Sequence, residues 1–358
     1  MLRPSSRQNA RRGARVSMKF GIFDHLDDNG LPTGRHFEDR LSLIEAYDRC
    51  GFYAYHLAEH HGTPLGMAPS PGLFLAAIAQ RTKRLRFGPL VYLLPLYHPI
   101  RLIEEICMLD HMSNGRLELG VGRGVSPIEV GYYGVDPAEG SRRFVEALRV
   151  IRQGLTSDKL TFNGDYYRYS EVPMVLKPVQ RPHPPLWYGV TKPESAYWAA
   201  HEGAHVVTLS PPDAARTIFE RYRTECAQFG RNSQPIMGLA RHVVLAETEA
   251  AAVSVAKRAY TPWLKHMELL WTLHGMKLPL GLPPEIEPLL QSGAAFAGTA
   301  PGLRKFVDAQ TKSTGANYFV CDVAFGDVSL QEAMRTVDLL AREVIPFFKE
   351  MGRTCAFQ

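Results

Sequence analysis

The 358-residue sequence contains no uninterrupted run of 18 apolar residues, so no membrane-spanning helix is predicted. Cysteine is scarce, and the five cysteines form no Cys-x-x-Cys pair and have no metal-ligand spacing. This usage is typical of reduced, mostly buried thiols, which favours a cytoplasmic protein over a secreted one. Neither a disulfide framework nor a cysteine-based metal site is therefore expected.

Over most of the chain there is no excess of positive or negative charge. The formal net charge is +5, and residues 1–17 contain five arginines and no acidic residue. The rest of the chain is therefore neutral overall and has no basic region of the kind that binds nucleic acid or a membrane surface. Because residues 1–17 lack the apolar core of a signal peptide, we interpret them as a disordered basic leader. One domain over residues 18–350 and a short tail over residues 351–358 are expected to follow.

From Met18 onward the chain contains a regular alternation of strand-like and helix-like segments. Two stretches interrupt it: residues 158–185, which follow the fourth helix, and residues 263–297, which precede the eighth strand. Eight strand–helix units without a low-complexity linker predict an α/β protein, a single (β/α)8 TIM barrel with two insertions. A doubly wound sheet is the alternative. The predicted strands cover residues 19–26, 54–61, 85–94, 117–121, 186–190, 205–209, 236–246 and 318–325.

The second predicted strand, residues 54–61, ends on three titratable residues, Glu59, His60 and His61. Ligands bind at the carboxyl ends of barrel strands, so these residues are candidates for catalysis. The alternative is that their side chains only close the strand by hydrogen bonding to a neighbouring loop. A metal site is disfavoured, because adjacent residues of a strand point to opposite faces and do not easily share one ion.

Two further strand ends have residues suited to an anion. Arg123 lies between Gly122 and Gly124 after the fourth strand, where it is suited to binding a phosphate; a tight turn is the alternative. After the fifth strand, Pro193 is placed to begin a helix whose amino terminus would face an anion, although ordinary helix capping is the alternative. The anion-binding candidates at that helix are Thr191, Lys192 and Ser195.

Four segments of the chain closely resemble the bacterial luciferase-like monooxygenases. They are LAEHH at residues 57–61, HPIRLIEEICMLDHMSNGRLELGVGRG at 98–124, KPVQRPHPPLWYGV at 177–190 and ESAYWAAHEGAHVV at 194–207. The resemblance implies a TIM barrel that uses reduced FMN, supplied by a separate NAD(P)H-dependent flavin reductase. In that family, oxygen adds to the 4a carbon of the flavin, and the resulting peroxide oxidises an organic substrate.

The resemblance also implies roles for the candidate residues. His60, between Glu59 and His61, matches the catalytic histidine of the family, which would act as a base toward the flavin or its peroxide. Arg123 matches the arginine that contacts the flavin phosphate. Lys192 stands where the family has a hydroxyl-bearing phosphate contact, and this departure changes the chemistry of the contact. Together with Thr191 from the helix start, the predicted cofactor-binding residues are Leu90, Val91, Arg123, Thr191, Lys192 and Ser195.

Two positions concern the flavin ring. Leu90 and Val91 occupy the place at which the luciferases have a non-proline cis peptide bond beneath the ring. Gly122 stands where the luciferases have a reactive cysteine, and this departure argues against light emission.

The leading prediction is a two-component FMN-dependent monooxygenase that acts on a small, mostly apolar organic molecule. A deazaflavin-dependent dehydrogenase on the same barrel and a non-catalytic flavin-binding barrel are the alternatives. The family further implies a homodimer, with residues 103–112 as the candidate seam. In the second insertion we expect a lid over the flavin. Four residues of this insertion are candidates for lining an apolar substrate cavity: Trp263, Met267, Trp271 and Met276. The alternative is that they only pack in the core of the protein.

Overall fold

A barrel of parallel strands forms the centre of the structure, a computed structural model that describes residues 18–230 and 235–354. The predicted leader, residues 1–17, lies outside the described residues. The strands are β1 (Lys19–Asp24), β2 (Ala54–Leu57), β3 (Arg86–Pro89), β4 (Tyr92–Leu93), β5 (Leu119–Gly122), β6 (Lys159–Asn163), β7 (Arg168–Pro173), β8 (Leu186–Gly189), β9 (His205–Thr208), β10 (Met237–Leu245), β11 (Ala295–Gly298) and β12 (Tyr318–Asp322).

The strand order confirms the predicted TIM barrel. Neighbouring strands follow the order β3-β2-β1-β12-β10-β9-β8-β5-β4. β3 pairs with β2 and β4 pairs with β5, while a bridge between Phe87 and Leu117 joins the two edges. β3 and β4 are therefore two parts of one barrel strand, and each of the predicted strands has its counterpart. β11 is an addition that pairs with β10, and β6 and β7 form a separate antiparallel hairpin.

Helices surround the barrel, and their ends carry recognisable signals. Gly51, Gly203 and Gly315 have left-handed backbone conformations just after the helices α1 (Thr33–Cys50), α6 (Pro193–Glu202) and α10 (Ala300–Thr314). Ser329 and Glu332 form a capping box at the start of α11 (Leu330–Leu339). No helix in the described ranges is long and apolar enough to cross a membrane. The helices are α1 (Thr33–Cys50), α2 (Pro71–Arg81), α3 (Pro99–Met112), α4 (Pro127–Tyr132), α5 (Gly140–Thr156), α6 (Pro193–Glu202), α7 (Pro212–Gln228), α8 (Glu249–Leu273), α9 (Glu287–Ser292), α10 (Ala300–Thr314), α11 (Leu330–Leu339) and α12 (Ile345–Thr354).

The two insertions lie where they were predicted, but they contain more regular structure than expected. The first includes the β6–β7 hairpin. In the second, the first part of the predicted insertion, residues 263–273, belongs to α8, which continues through Pro262 to Leu273. Its apolar residues on both sides of the proline, including Tyr260, Trp263 and Leu264, are buried. Burial of that face outweighs the helical hydrogen bond that the proline removes.

The amino-terminal end of the barrel is filled by large side chains. Trp187, Tyr318 and His56 are fully buried, and Nε2 of His56 lies 2.9 Å from the hydroxyl oxygen of Tyr318. Glu118 accepts hydrogen bonds from the indole of Trp187 and from Arg86, and burial raises the pKa of its carboxyl. This packing leaves the carboxyl-terminal end of the barrel as the place for a ligand.

Candidate active site

His60 lies on the segment that follows β2, at the carboxyl-terminal mouth of the barrel. Its Nδ1 is 3.3 Å from Oε1 of Glu129, a residue of α4. The other carboxylate oxygen of Glu129 accepts a 2.9 Å hydrogen bond from the main-chain amide of His61. Burial opposes ionisation of Glu129, but the contacts with His60 and His61 outweigh it and hold the pKa of this carboxyl below its usual value. An ionised Glu129 favours the tautomer of His60 that carries its proton on Nδ1, which leaves Nε2 as the basic nitrogen.

Glu59 and His61 lie close to His60 but form a separate buried pair. Nε2 of His61 is 2.8 Å from Oε1 of Glu59, and Nδ1 of His61 is 2.8 Å from the hydroxyl oxygen of Tyr133. Glu59 also accepts a hydrogen bond from the main-chain amide of Leu93, and burial raises the pKa of its carboxyl. Both ring nitrogens of His61 are thus occupied, so the arrangement favours His60 as the reacting group and gives Glu59 and His61 a supporting place.

Glu129 is a site residue that the sequence analysis missed. It is brought to His60 by α4, which begins after Ser126, and the side chain of Ser126 accepts a hydrogen bond from the amide of Glu129. A serine followed three residues later by glutamate is the signature of a helix start. This signal was present in the sequence, directly after the turn at Arg123. It predicts the helix α4, but it does not predict that Glu129 contacts His60.

A small, mostly apolar cleft lies beside His60. Its titratable lining residues are His60 and Glu129, and apolar side chains form most of its wall. Met267 and Trp271 of α8 line it, as one reading of the sequence expected. Trp263 packs against other rings of the barrel mouth, and Met276 is exposed and outside the lining. The apolar lining residues are Leu65, Val125, Met267, Leu270, Trp271, Leu278, Pro279 and Leu280.

The anion-binding candidates follow two neighbouring strands, β5 and β8, on one side of the rim of the mouth. Arg123 follows β5, and the pairing register of β5 with β8 brings it level with Val190. Arg123, Thr191 and Lys192 are exposed, and Ser195 is half-buried. Lys192 is the N-cap residue of α6, so the positive end of that helix faces the same rim. Two cations and a helix amino terminus together suit a phosphate group.

Next to this rim the mouth has room for a planar ring. Gly189, the last residue of β8, is exposed, and a Cβ added there would have no atom within 4 Å. The peptide bond between Leu90 and Val91 is cis, the geometry that the resemblance implied. Gly122 is buried, and a Cβ added to it would lie 2.3 Å from Cγ2 of Val91. The open space at Gly189 and the cations Arg123 and Lys192 therefore lie at or just after the ends of the same two neighbouring strands, β5 and β8.

A second titratable cluster at the mouth was also missed from the sequence. Asp322 ends β12, and its Oδ2 lies 3.1 Å from Nδ1 of His242 and 3.8 Å from Nδ1 of His25. All three are buried, at 4 %, 8 % and 6 % exposure. These residues are far apart in the sequence, and no motif connects them. Within the described ranges, no group of three or more His, Cys, Asp or Glu side chains is placed to hold a metal ion.

Comparison with known proteins identifies related chains. Residues 18–311 match the family model for luciferase-like monooxygenases. An uncharacterised protein of Sinorhizobium fredii is 44% identical over 330 residues, which are 92% of this chain and 96% of the relative. The oxygenase component of the flavin-dependent trigonelline monooxygenase of Acinetobacter baylyi is 28% identical over 243 residues, 66% of this chain and 67% of the relative.

Solved structures with the same fold include enzymes with different cofactors. Monooxygenase RslO1 from Streptomyces bottropensis has a TM-score of 0.84 and 26% identity over 92% of this chain and 100% of that chain. The oxygenating constituent of 3,6-diketocamphane monooxygenase of Pseudomonas putida, in complex with FMN, has a TM-score of 0.79 and 19% identity over 92% and 99%. The coenzyme F420-dependent tetrahydromethanopterin reductase of Methanopyrus kandleri has a TM-score of 0.69 and 19% identity over 93% and 100%. At 19% identity, the last two show a shared fold alone.

Proposed function

The chain belongs to the luciferase-like monooxygenase family, and we propose that it is the oxygenase of a two-component flavin system. In this proposal it works in the cytoplasm, takes reduced FMN from a separate NAD(P)H-dependent reductase and uses oxygen to oxidise a small, mostly apolar organic molecule. The observation that carries the proposal is the position of His60. It is paired with Glu129 and lines an apolar cleft at the same barrel mouth as Arg123.

In this proposal the residues of the barrel mouth have different roles. Arg123, Lys192 and the amino terminus of α6 would hold the phosphate of FMN, while Leu90 and Val91 would lie against its ring. Reduced FMN, when bound, supplies the electrons that activate oxygen. His60, with its proton held on Nδ1 by Glu129, would take a proton from the reacting molecule at Nε2.

The apolar wall completes the site by excluding water. Residues 278–280 line the cleft and lie between Gly275 and Gly281, which both have left-handed backbone conformations. Within the predicted lid, this short segment is the part that fits the role, because the first part of the insertion is the helix α8. A dry cleft strengthens the interaction of His60 with a bound molecule.

Reduced FMN should bind about tenfold or more tightly than reduced riboflavin, which lacks the phosphate, because charge-assisted hydrogen bonds to a phosphate are worth about 1.5–3 kcal/mol. Substituting Arg123→Gln should remove most of this difference. An anaerobic fluorescence titration measures both affinities. The matched control is Arg84→Gln, which changes an exposed arginine that precedes β3, at the amino-terminal end of the barrel. Equal affinity for both flavins in the unaltered protein would contradict the phosphate site.

The same preparation separates the two alternative functions. Oxygen consumption that depends on an added apolar substrate, beyond the autoxidation of free flavin, supports the monooxygenase. Tighter binding of reduced coenzyme F420 than of reduced FMN would instead support the dehydrogenase. Tight FMN binding without substrate-dependent oxygen consumption would support a non-catalytic barrel. Equal rates with chemically reduced FMN and with an added reductase would support a separate reductase.

We further propose that the protein forms a homodimer through one face of α3. Of the candidate seam 103–112, Ile103 and Ile106 are buried within the barrel, whereas Met108 and Met112 are exposed. Val175, on the neighbouring loop, is 90 % exposed and extends this apolar face. Light scattering should give a dimer at micromolar concentration, and Met108→Glu should shift it to a monomer. Leu273→Glu, at an exposed leucine on α8, is the control; a monomeric unaltered protein would refute the proposal.

A further inference from the structure

The helix α8 contacts both chain segments that bring His60 and Glu129 together. These two residues come from different strand ends, because His60 follows β2 and Glu129 lies on α4, after β5. β2 and β5 are not paired with each other, so no strand ladder sets the distance between the two side chains. Contacts outside the sheet must therefore fix the 3.3 Å separation of Nδ1 of His60 from Oε1 of Glu129.

The segment after β2 is joined to α8 by a hydrogen bond. The hydroxyl of Thr63, three residues after His60, donates to the main-chain carbonyl of His266 at 3.1 Å. Nδ1 of His266 lies 3.5 Å from Oδ2 of Asp27, a fully buried residue that follows β1. The second half of α8 is therefore attached to the barrel mouth beside His60.

α4 is held against the end of α8 by apolar contacts. Ile128 forms a small hydrophobic cluster with Leu270 and Trp271, separate from the main core of the barrel. Beyond this cluster, the hydroxyl oxygen of Tyr132 lies 2.9 Å from Nε2 of His274, the residue that follows α8. α4 has six residues, and a helix of that length is not stable by itself, so its place depends on contacts such as these.

We infer that Ile128 is a positioning residue for the pair of His60 and Glu129, through which the end of α8 holds Glu129 in place. Ile128 directly precedes Glu129 and is not among the side chains that line the cleft. It therefore acts on the pair through the position of α4, rather than by touching a bound molecule. The inference rests on the proposed function only in treating His60 as the reacting group.

The other contacts of α4 lie at its two ends. Ser126 caps its start, and the hydroxyl oxygen of Tyr133, just after its end, lies 2.8 Å from Nδ1 of His61. Ile128 adds a buried apolar contact between these ends. Without it, Glu129 no longer fixes the orientation of the His60 ring, and a misplacement of about 1 Å in a reacting group costs catalysis up to about 100-fold.

The test follows the main-chain amide of His61 by NMR, on the isotope-labelled full chain without flavin or substrate. This amide reports on Glu129 directly, because Oε2 of Glu129 accepts its hydrogen bond at 2.9 Å. Substituting Ile128→Ala should increase its hydrogen-exchange rate by about tenfold or more and shift its proton resonance toward the position found in Glu129→Ala. Ile128→Val, which keeps most of the side chain, should retain the signal of the unaltered protein.

The matched control is Ile218→Ala, the same truncation at a buried isoleucine of α7, a helix that packs against α6 and α10. It should leave the His61 amide unaltered. An unchanged His61 amide in folded Ile128→Ala, or an equal change in Ile218→Ala, overturns the inference. If Ile128→Ala does not fold, Leu270→Ala removes the other side of the contact and decides in the same way. Because no flavin or substrate is present, a failure here is distinct from a failure of the proposed monooxygenase activity.

Discussion

Substituting His60→Ala is expected to lower the rate of substrate oxidation by about 10²–10⁴-fold, the usual contribution of a positioned acid or base. The affinity for reduced FMN should change little, because the residues suited to the phosphate lie on β5, β8 and α6 rather than beside His60. The rate at saturating reduced FMN and substrate measures the first effect, and an anaerobic flavin titration measures the second.

Two further variants and a chemical rescue serve as comparisons for His60→Ala. Glu129→Gln keeps the shape of the pair but removes its charge, so a smaller loss is expected than for His60→Ala. His111→Ala, on the outer face of α3, should retain full activity. Added imidazole should restore part of the activity of His60→Ala, since the truncation leaves space beside an intact Glu129. Full activity without added imidazole would exclude His60 as the base.

The fold was predictable because its signals are local. Each barrel strand is a short apolar segment bounded by turns, and eight such segments alternating with helices leave few architectures. The second insertion was predicted to start at residue 263, although α8 continues to Leu273, and this difference has a physical cause. Pro262 and the tryptophans that follow resemble the start of an irregular loop, whereas burial of Trp263 and Leu264 keeps the segment helical. Local propensity predicted the break, and tertiary packing overrode it.

The candidate site was predictable only where it lies along one strand end. His60 and Arg123 each stand in a recognisable local segment, so both were identified from the sequence. Glu129 and the His25–Asp322 contact depend on which strand ends and helices become neighbours when the barrel closes. The contacting atoms of His25 and Asp322 belong to residues almost 300 positions apart, and no pattern in a single sequence expresses that contact.

Substituting Gly122→Cys, which would install the thiol found in the luciferases, is expected to destabilise the fold by about 1–3 kcal/mol. The added Cβ would lie 2.3 Å from Cγ2 and 3.2 Å from Cβ of Val91, and Gly122 is buried. A valine side chain relieves such a contact poorly, because its branched Cβ restricts rotation about χ1. Chemical denaturation of the two proteins measures the loss. Gly189→Cys is the matched control, because its Cβ would meet no atom within 4 Å.

A double-mutant cycle shows whether Val91 is the cause of that loss. If the two side chains compete for one space, Val91→Ala should restore most of the stability of Gly122→Cys, with a coupling energy of about 1 kcal/mol or more. Additive effects would instead mean that the backbone around Gly122 rejects any side chain. A positive coupling would mean that the side chains at Val91 and Gly122 compete for the same space. The barrel would then accommodate either the valine at position 91 or a cysteine at position 122, but not both without a loss of stability. The double variant would then be the protein in which to ask what a thiol at that position adds to the reaction.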